Sequence, residues 1–366
     1  MLFQPPPLTE REAEVIAEIE TIRRRMDLPR FEHWPGLTWR AITDRLLRIA
    51  ADAGANGPAD VPAPEEDAAE KSADIWTAAA GYRAALSFAL QLADAAHFAY
   101  DEGVIRALHY MITMHDPAKK PARWRRGSIW VRRQTTGEIL YTPPPPKSIP
   151  ALMTELIATL NERNDQPPIV RAAMAHLNVA AIHPFADGNG RTSRAVHTLV
   201  LARAGVTAPP FASIDEYVSA RTDDYDQALR EVHGGAWQPE RDTRPWVRFC
   251  LTAHFYQATM LERRSREYDR LWEALECEAM ARGLPVHAMS ALARAAIGER
   301  VTAPVYESAA GGSSLDADRE LRELADAGLL IAATEEGEDF YLASEQIKAI
   351  WSRVREPGVQ AIDPFA

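Results

Sequence analysis

At 366 residues, 46% apolar and 25% charged, the chain is long enough to build more than one core. Its formal charge of −11 opposes broad binding to a nucleic-acid backbone, so any polyanion site must be local. Cys250 and Cys277 lie far apart in sequence, which speaks against a disulfide scaffold or a thiolate zinc site and fits a reducing compartment.

In chain order, "MLFQPPPLTEREAEV" is polar and proline-rich. It has no charged start leading into an apolar stretch, and no apolar run approaches a membrane span. A cytoplasmic protein with no membrane partner is expected. Apolar residues then recur at helical spacing in "EREAEVIAEIETIRRRM" and "TWRAITDRLLRIAADAG". From Ala55, "ANGPADVPAPEEDAAEKSAD" breaks that spacing with Gly, Pro and clustered charge, so 55–74 reads as a solvated connection inside an N-terminal helical region, 1–99. Helical spacing resumes in "IWTAAAGYRAALSFALQLADAAHFAY". The exception comes in "SIWVRRQTTGEILYTPPPP", where Ile129 and Val131 alternate before "QTTG" and Ile139 and Tyr141 after it. That pattern, closed by four prolines, predicts a β-hairpin over 128–146. "ALMTELIATLNER" and "PPIVRAAMAHLNVAAI" are helical again, and the expected fold is mainly α.

Past Arg282 and Gly283 the segments shorten. "SALARAAIGERV", "APVYESAA" and "LDADRELRELADAGLL" read as three helices and "IAATEEGEDFYLAS" as two strands, an order like that of a winged helix over 285–353. A connecting helix is expected over 266–284 and a tail over 354–366. The third short helix carries Asp316, Asp318, Glu320, Glu323 and Asp326 against Arg319 and Arg322, and an acidic helix repels phosphate. A protein-contact or structural role is therefore favoured there over DNA binding.

The chemistry is concentrated in "HPFADGNGRTSR", residues 183–194. Helical patterns flank it, so "ADGNG" is a tight loop leading into a helix N-terminus. Gly188 and Gly190 let backbone amides converge on a ligand, and the following helix adds its positive dipole end. Arg191 and Arg194, three apart on the first turn, can both reach phosphate oxygens. Asp187 at the mouth of this anion nest would be repelled by phosphates unless a hard divalent cation such as Mg²⁺ bridges them. His183 can accept a proton near neutral pH. Taken singly, each feature is more often a turn glycine or a structural histidine; the joint spacing points to a polyphosphate site. The stretch lacks the G-x-x-x-x-G-K-[ST] of a Walker loop and the preceding strand of a Rossmann fingerprint.

The segment resembles the Fic family motif H-P-F-x-[DE]-G-N-G-R-x-x-R, matched at His183, Pro184, Phe185, Asp187, Gly188, Asn189, Gly190, Arg191 and Arg194. The likeness extends over roughly 100–265, through "ALHYMITM" around His109, "PARWRRGSIWVRRQ", "AHLNVAAIHPF" with His176, "DYDQAL" and "PWVRFCLTAHF". It implies a Fic-type helical core with a hairpin flap, and transfer of AMP from Mg²⁺-bound ATP to a Ser, Thr or Tyr hydroxyl of a target protein, releasing pyrophosphate. In that reading His183 deprotonates the hydroxyl and Asp187 holds Mg²⁺. Asn189 with the Gly188 and Gly190 amides stabilises the α-phosphate, Arg191 helps, and Arg194 grips the outer phosphates. Tyr225 stands where many members place an aromatic near adenine, and Ile129, Trp130, Val131, Ile139 and Tyr141 form the flap that clamps the target. Another nucleotide or a phosphocholine donor stays open, as do a homodimer and a nucleotide-binding sensor with winged-helix output.

Many members also carry an inhibitory helix, [ST]-x-x-x-E-[GN], whose Glu pairs with the last arginine of the motif. No stretch here fits it: Glu102 and Glu336 are the Glu residues followed by Gly or Asn, and Phe98 and Ala332 stand four before them. In the resembling segment near 45–57, Asp52 and Asn56 take the places of the Ser/Thr and the Glu. Neutral Asn56 cannot make the charge pair, so Arg194 is expected to be free.

Overall fold

The structure is a computed structural model and describes residues 1–26, 65–132, 137–310, 316–335, 338–356 and 363–366. The inhibitory-helix-like segment with Asn56, and the hairpin tip at 133–136, lie outside the described residues. The described residues divide into two compact units: 1–24, 65–258 and 363–366 in the first, 25–26 and 259–356 in the second.

The first unit opens with Leu2 and Phe3, which are buried although the segment around them is polar. The Phe3 N–H donates to Asn178 Oδ1 at 3.0 Å, and Asn178 Nδ2 donates back to the Phe3 carbonyl at 3.1 Å, so one buried amide fastens the strap. Helix α1, Glu10–Arg25, starts with a capping box: Thr9 Oγ1 accepts from the Glu12 N–H and Glu12 Oε2 from the Thr9 N–H. Helix α2, Glu65–Gln91, takes in the last ten residues of the expected connection at 55–74. Glu, Ala and Lys dominate those positions and are strong helix formers. Just beyond α2 the chain presents the carbonyls of Leu92, Ala93 and Ala95, all of which accept from Arg203 Nη1.

Helix α3, Glu102–Thr113, is N-capped by Asp101 and buries Ile105, Leu108, His109 and Ile112 along one face. Strands β1, Val131–Arg132, and β2, Ile139–Tyr141, pair antiparallel with a register shift between Val131 and Arg132. Helix α4, Ile149–Asn161, follows the prolines. Next come α5, Pro168–Ile182, mostly apolar and buried along almost its whole length, and α6, Asn189–Arg203, which is buried along most of its length although its sequence mixes polar with apolar residues. They pack on each other, and the six residues joining them are the first half of the motif. Helices α7, Pro209–Ala212, α8, Asp215–Ala220, and α9, Thr222–His233, lead to α10, Arg244–Arg282. Trp246 at its start is fully buried and donates its indole N–H to the Ala173 carbonyl at 2.7 Å. One helix thus runs through the segment expected as a separate connector at 266–284, because nothing in "HFYQATMLERRSREYDRLWEALECEAM" breaks helical spacing. The unit boundary falls inside it.

The second unit continues with α11, Ala288–Ala296, α12, Ala303–Ala310, and α13, Ala317–Asp326. The hairpin β3, Leu330–Glu335, with β4, Glu338–Ala343, follows, and then α14, Glu345–Val354. Leu292, Val301, Tyr306, Leu321 and Ile347 are buried to the last per cent. Among the described residues no helix is long and apolar enough to cross a membrane.

Glu12 is fully buried and accepts from Arg244 Nη1 at 2.6 Å and Arg248 Nε at 2.8 Å. Burial pulls its carboxyl upward, but the Thr9 N–H and the two guanidiniums outweigh that and hold it at about 2, against an ordinary 4.5. A depressed carboxylate contributes stability that is complete above the unfolded value and is lost as pH falls toward the folded one. Glu12→Gln is expected to cost about 3 kcal/mol at pH 7. In paired thermal melts the gap between variant and wild type should close between pH 5 and pH 2; a gap independent of pH would assign the loss to packing instead.

Candidate active site

His183 terminates α5 in the left-handed region, φ 50° and ψ 58°, where a side chain with a Cβ is strained. Two contacts hold it there. Its carbonyl accepts from Arg125 Nε at 2.7 Å, and its ring Nδ1 lies 3.0 Å from the Ala180 carbonyl. A carbonyl only accepts, so Nδ1 carries the hydrogen and Nε2 is left with its lone pair outward. Burial, reinforced by the Arg125 charge, lowers this imidazole to about 4 despite the Ala180 bond and the Asp187 carboxylate. It is neutral at pH 7.

Arg125 is itself buried. Besides the His183 carbonyl, its guanidinium serves the carbonyls of Gly127 at 3.2 Å and Pro144 at 2.6 Å, and its backbone N–H donates to Pro184 at 2.8 Å. Gly127 and Pro144 stand on either side of the hairpin, so one cation ties the hairpin base to the residue that carries the base. Arg125 has no signature in the sequence, because an arginine bonded to carbonyls alone leaves no charge pattern to detect.

The loop beyond His183 is held by neutral groups. Phe185 stacks on His109 with ring centroids 3.6 Å apart and planes 4° from parallel. His109 Nδ1 accepts from the Ala122 N–H at 2.9 Å, so its Nε2–H donates to the Asp187 carbonyl at 3.0 Å. Gly188 sits at φ +75°, and a Cβ there would fall 2.8 Å from Thr113 Cγ2. Asn189 turns its amide back onto the loop, accepting from the Phe185 N–H at 2.9 Å and donating to the Phe185 carbonyl at 3.0 Å. Asn189 is buried, and in this structure its amide brackets Phe185 and shapes the loop.

Gly188 N-caps α6, and the first amides of a helix have no partner within it. Around that end stand Asp187, Arg191, Arg194 and Lys119. Asp187 is half-exposed; its Oδ1 accepts from the Gly188 N–H at 2.6 Å and its Oδ2 pairs with Lys119 Nζ at 3.3 Å. Burial would raise its carboxyl, but those donors keep it below the usual range. Arg191 is partly buried on the first turn. Arg194 is not free as expected: its Nε meets Asp215 Oδ1 at 2.5 Å, with both side chains largely buried. Asp215, in "FASIDEYV", belongs to no motif, so no sequence signal marked it.

The ring of Tyr225 is buried against His176, Trp246 and Phe249, and its hydroxyl lies 3.0 Å from His176 Nε2. Within the hairpin, Trp130 and Ile139 are half-exposed and Ile129 and Val131 partly so, whereas Tyr141 is buried and donates its hydroxyl to the Ala181 carbonyl at 2.9 Å. Tyr141 anchors the hairpin to α5.

Residues 99–201 match the Fic/DOC family. The chain carries a Fic domain. Over 147 residues, 40% of the chain, it is 33% identical to a protein adenylyltransferase Fic of Aedes aegypti and 34% identical to that of Drosophila mojavensis. It spans about a quarter of those relatives' length, 26% in each case. A Fic family protein from Desulfovibrio desulfuricans G20 shares the fold, with a TM-score of 0.52 at 20% identity over 94% of this chain and 99% of that one.

Because Gly188 combines a positive φ with a 2.8 Å approach to Thr113, Gly188→Ala is expected to cost roughly 2–3 kcal/mol from strain and crowding. It should also loosen the loop. Hydrogen exchange of the Phe185 and Asp187 amides reads the effect, and unchanged protection in the variant contradicts it.

Proposed function

We propose that this chain is a protein adenylyltransferase that moves AMP from Mg²⁺-ATP to a Ser, Thr or Tyr hydroxyl of a protein, itself included. The observation that carries the reading is His183: a neutral imidazole with Nδ1–H fixed on Ala180 and Nε2 outward, beside a helix N-terminus flanked by arginines. The target oxygen attacks the α-phosphorus as its proton passes to Nε2. The bond from the α-phosphorus to the bridging oxygen breaks, and pyrophosphate leaves with the electron pair.

The α6 amides and Arg191 stand where charge develops on the α-phosphate, and Arg194 holds the outer phosphates. Asp187 fits Mg²⁺: it is a hard, ionised, half-exposed carboxylate, and Mg²⁺ is commonly held by one carboxylate together with phosphates and water. When bound, the ion neutralises phosphate charge and orients the leaving group; Lys119 must yield Oδ2 to it. The exposed side of the hairpin, with Trp130, Ile139 and Val131, is read as the surface that pairs an extended target segment. We also read 285–353 as a winged-helix-like module. The acidic α13 turns it from nucleic acid toward protein contact or a structural role.

His183→Ala should abolish transfer, by roughly 10² to 10⁴ in rate, while leaving ATP affinity within about twofold, since the imidazole acts on a proton and not on phosphate. Incubation with Mg²⁺, labelled ATP, CTP, GTP or UTP, and a lysate measures this and reads the nucleotide choice at the same time. Full activity in the variant would falsify the assignment. In wild type a base at about 4 makes the rate climb through that pH and stay level from 5 to 8; an acid limb centred near 6.5 would mean that the imidazole is not the group titrating.

Val131→Pro disturbs β1 where it pairs with Tyr141 and should lower target modification about tenfold or more while ATP affinity holds. Parallel loss of both would place the hairpin within the nucleotide site.

A further inference from the structure

Asp215 Oδ1 takes the Nε of Arg194 at 2.5 Å, and Nη1 lies 3.7 Å from where a Cβ on Gly190 would stand, beside the first turn of α6. The carboxylate is itself fixed by two further groups. Tyr82 of α2 donates its hydroxyl to the carboxylate, 2.9 Å from either oxygen. Ser213 Oγ donates to Oδ2 at 2.5 Å, and the Asp215 N–H donates to Ser213 Oγ at 3.0 Å. Tyr82 also sets its ring 5.7 Å from the guanidinium carbon. A long side chain that must grip phosphate loses less on binding when its rotamer is already fixed.

We propose that Asp215 is the positioning residue for Arg194, holding the guanidinium edge-on through Nε so that its terminal nitrogens face the outer phosphates of the bound nucleotide. This rests on the transferase reading above and adds to it the residue that sets the phosphate grip. Asp215 acts through its place, as an oxygen at a fixed reach. Its negative charge works against polyphosphate binding.

Two variants separate place from charge. Asp215→Asn keeps an oxygen opposite Nε and removes the charge. Asp215→Glu keeps the charge and moves the oxygen by one methylene in a buried pocket. Calorimetric titration of the full chain with ATP, AMP and inorganic tripolyphosphate in Mg²⁺ is the test. Asp215→Asn is expected to bind all three as wild type does, or tripolyphosphate more tightly. Asp215→Glu should lose about tenfold for ATP and tripolyphosphate with AMP within about twofold, because AMP lacks the outer phosphates. If thermal melting shows Asp215→Glu unfolded, Asp215→Ala takes its place under the same criteria.

Loss in Asp215→Asn equal to that in Asp215→Glu overturns the proposal, as do wild-type binding by Asp215→Glu and equal losses for AMP and tripolyphosphate. If wild type binds none of the three, the transferase reading falls and the positioning role with it. If wild type binds and transfers but the variants bind alike, the positioning role alone is wrong.

Discussion

The carbonyl oxygen of His183 points where an ordinary helix end would not send it, and the guanidinium of Arg125 receives it at 2.7 Å. A left-handed conformation at a residue with a side chain costs about 1–2 kcal/mol, and a buried carbonyl without a donor costs about as much again. Arg125 supplies the donor, and with it the reason that the strained turn persists. The consequences spread from that turn. It aims the imidazole, it starts the loop whose far end is the N-terminus of α6, and through Gly127 and Pro144 it fixes the hairpin base to the same point. Burying a guanidinium without a carboxylate is tolerable here because four backbone carbonyls share its donors.

Beyond that clamp, the division of labour in the loop follows from charge. Its shape is set by groups that carry none: the His109 and Phe185 stack, the His109 bond to the Asp187 carbonyl, and the Asn189 bracket around Phe185. The ionic groups stand outside it as pairs, Lys119 with Asp187 and Arg194 with Asp215. The neutral bonds do not depend on nearby charge, whereas the ion pairs do. The Asp187 and Lys119 pair, with the carboxylate half-exposed, can part at little cost. Arg194 and Asp215, buried and further tied to Tyr82 and Ser213, are costly to separate.

What the sequence made legible was periodicity and local spacing. Amphipathic and buried helices could be read from their apolar repeats, the hairpin from alternation ahead of four prolines, and the cradle from twelve consecutive residues. Long-range choices left no such trace. Leu2 and Phe3 sit in a polar, proline-rich start, and only Asn178, 175 residues away, shows why they are buried. Tyr141 alternates like a flap residue, but its hydroxyl finds the Ala181 carbonyl and draws the ring inward. Tyr225 has the right type and place for a base-stacking aromatic, and His176 with Trp246 claim it for the core. A short polar residue such as Asp215 is mute in sequence because its partner is chosen by the packing of α2 and α6.

Histidine count alone would have misled. His109, His176, His183, His197, His233 and His254 are all pushed toward the neutral form by burial, so a lowered value does not by itself mark a base. His109 spends both ring nitrogens on backbone groups, His176 Nε2 meets the Tyr225 hydroxyl, and His197 and His254 bond each other through Nε2 at 2.9 Å. His233 is enclosed between Phe3 and Tyr141. Of these six, His183 alone is not buried by accessible surface, and its tautomer is set so that the uncovered nitrogen is the one with the lone pair. Access and tautomer, both fixed by the strained turn that Arg125 holds, distinguish His183, the base of the proposed reaction, from five other imidazoles that burial also lowers.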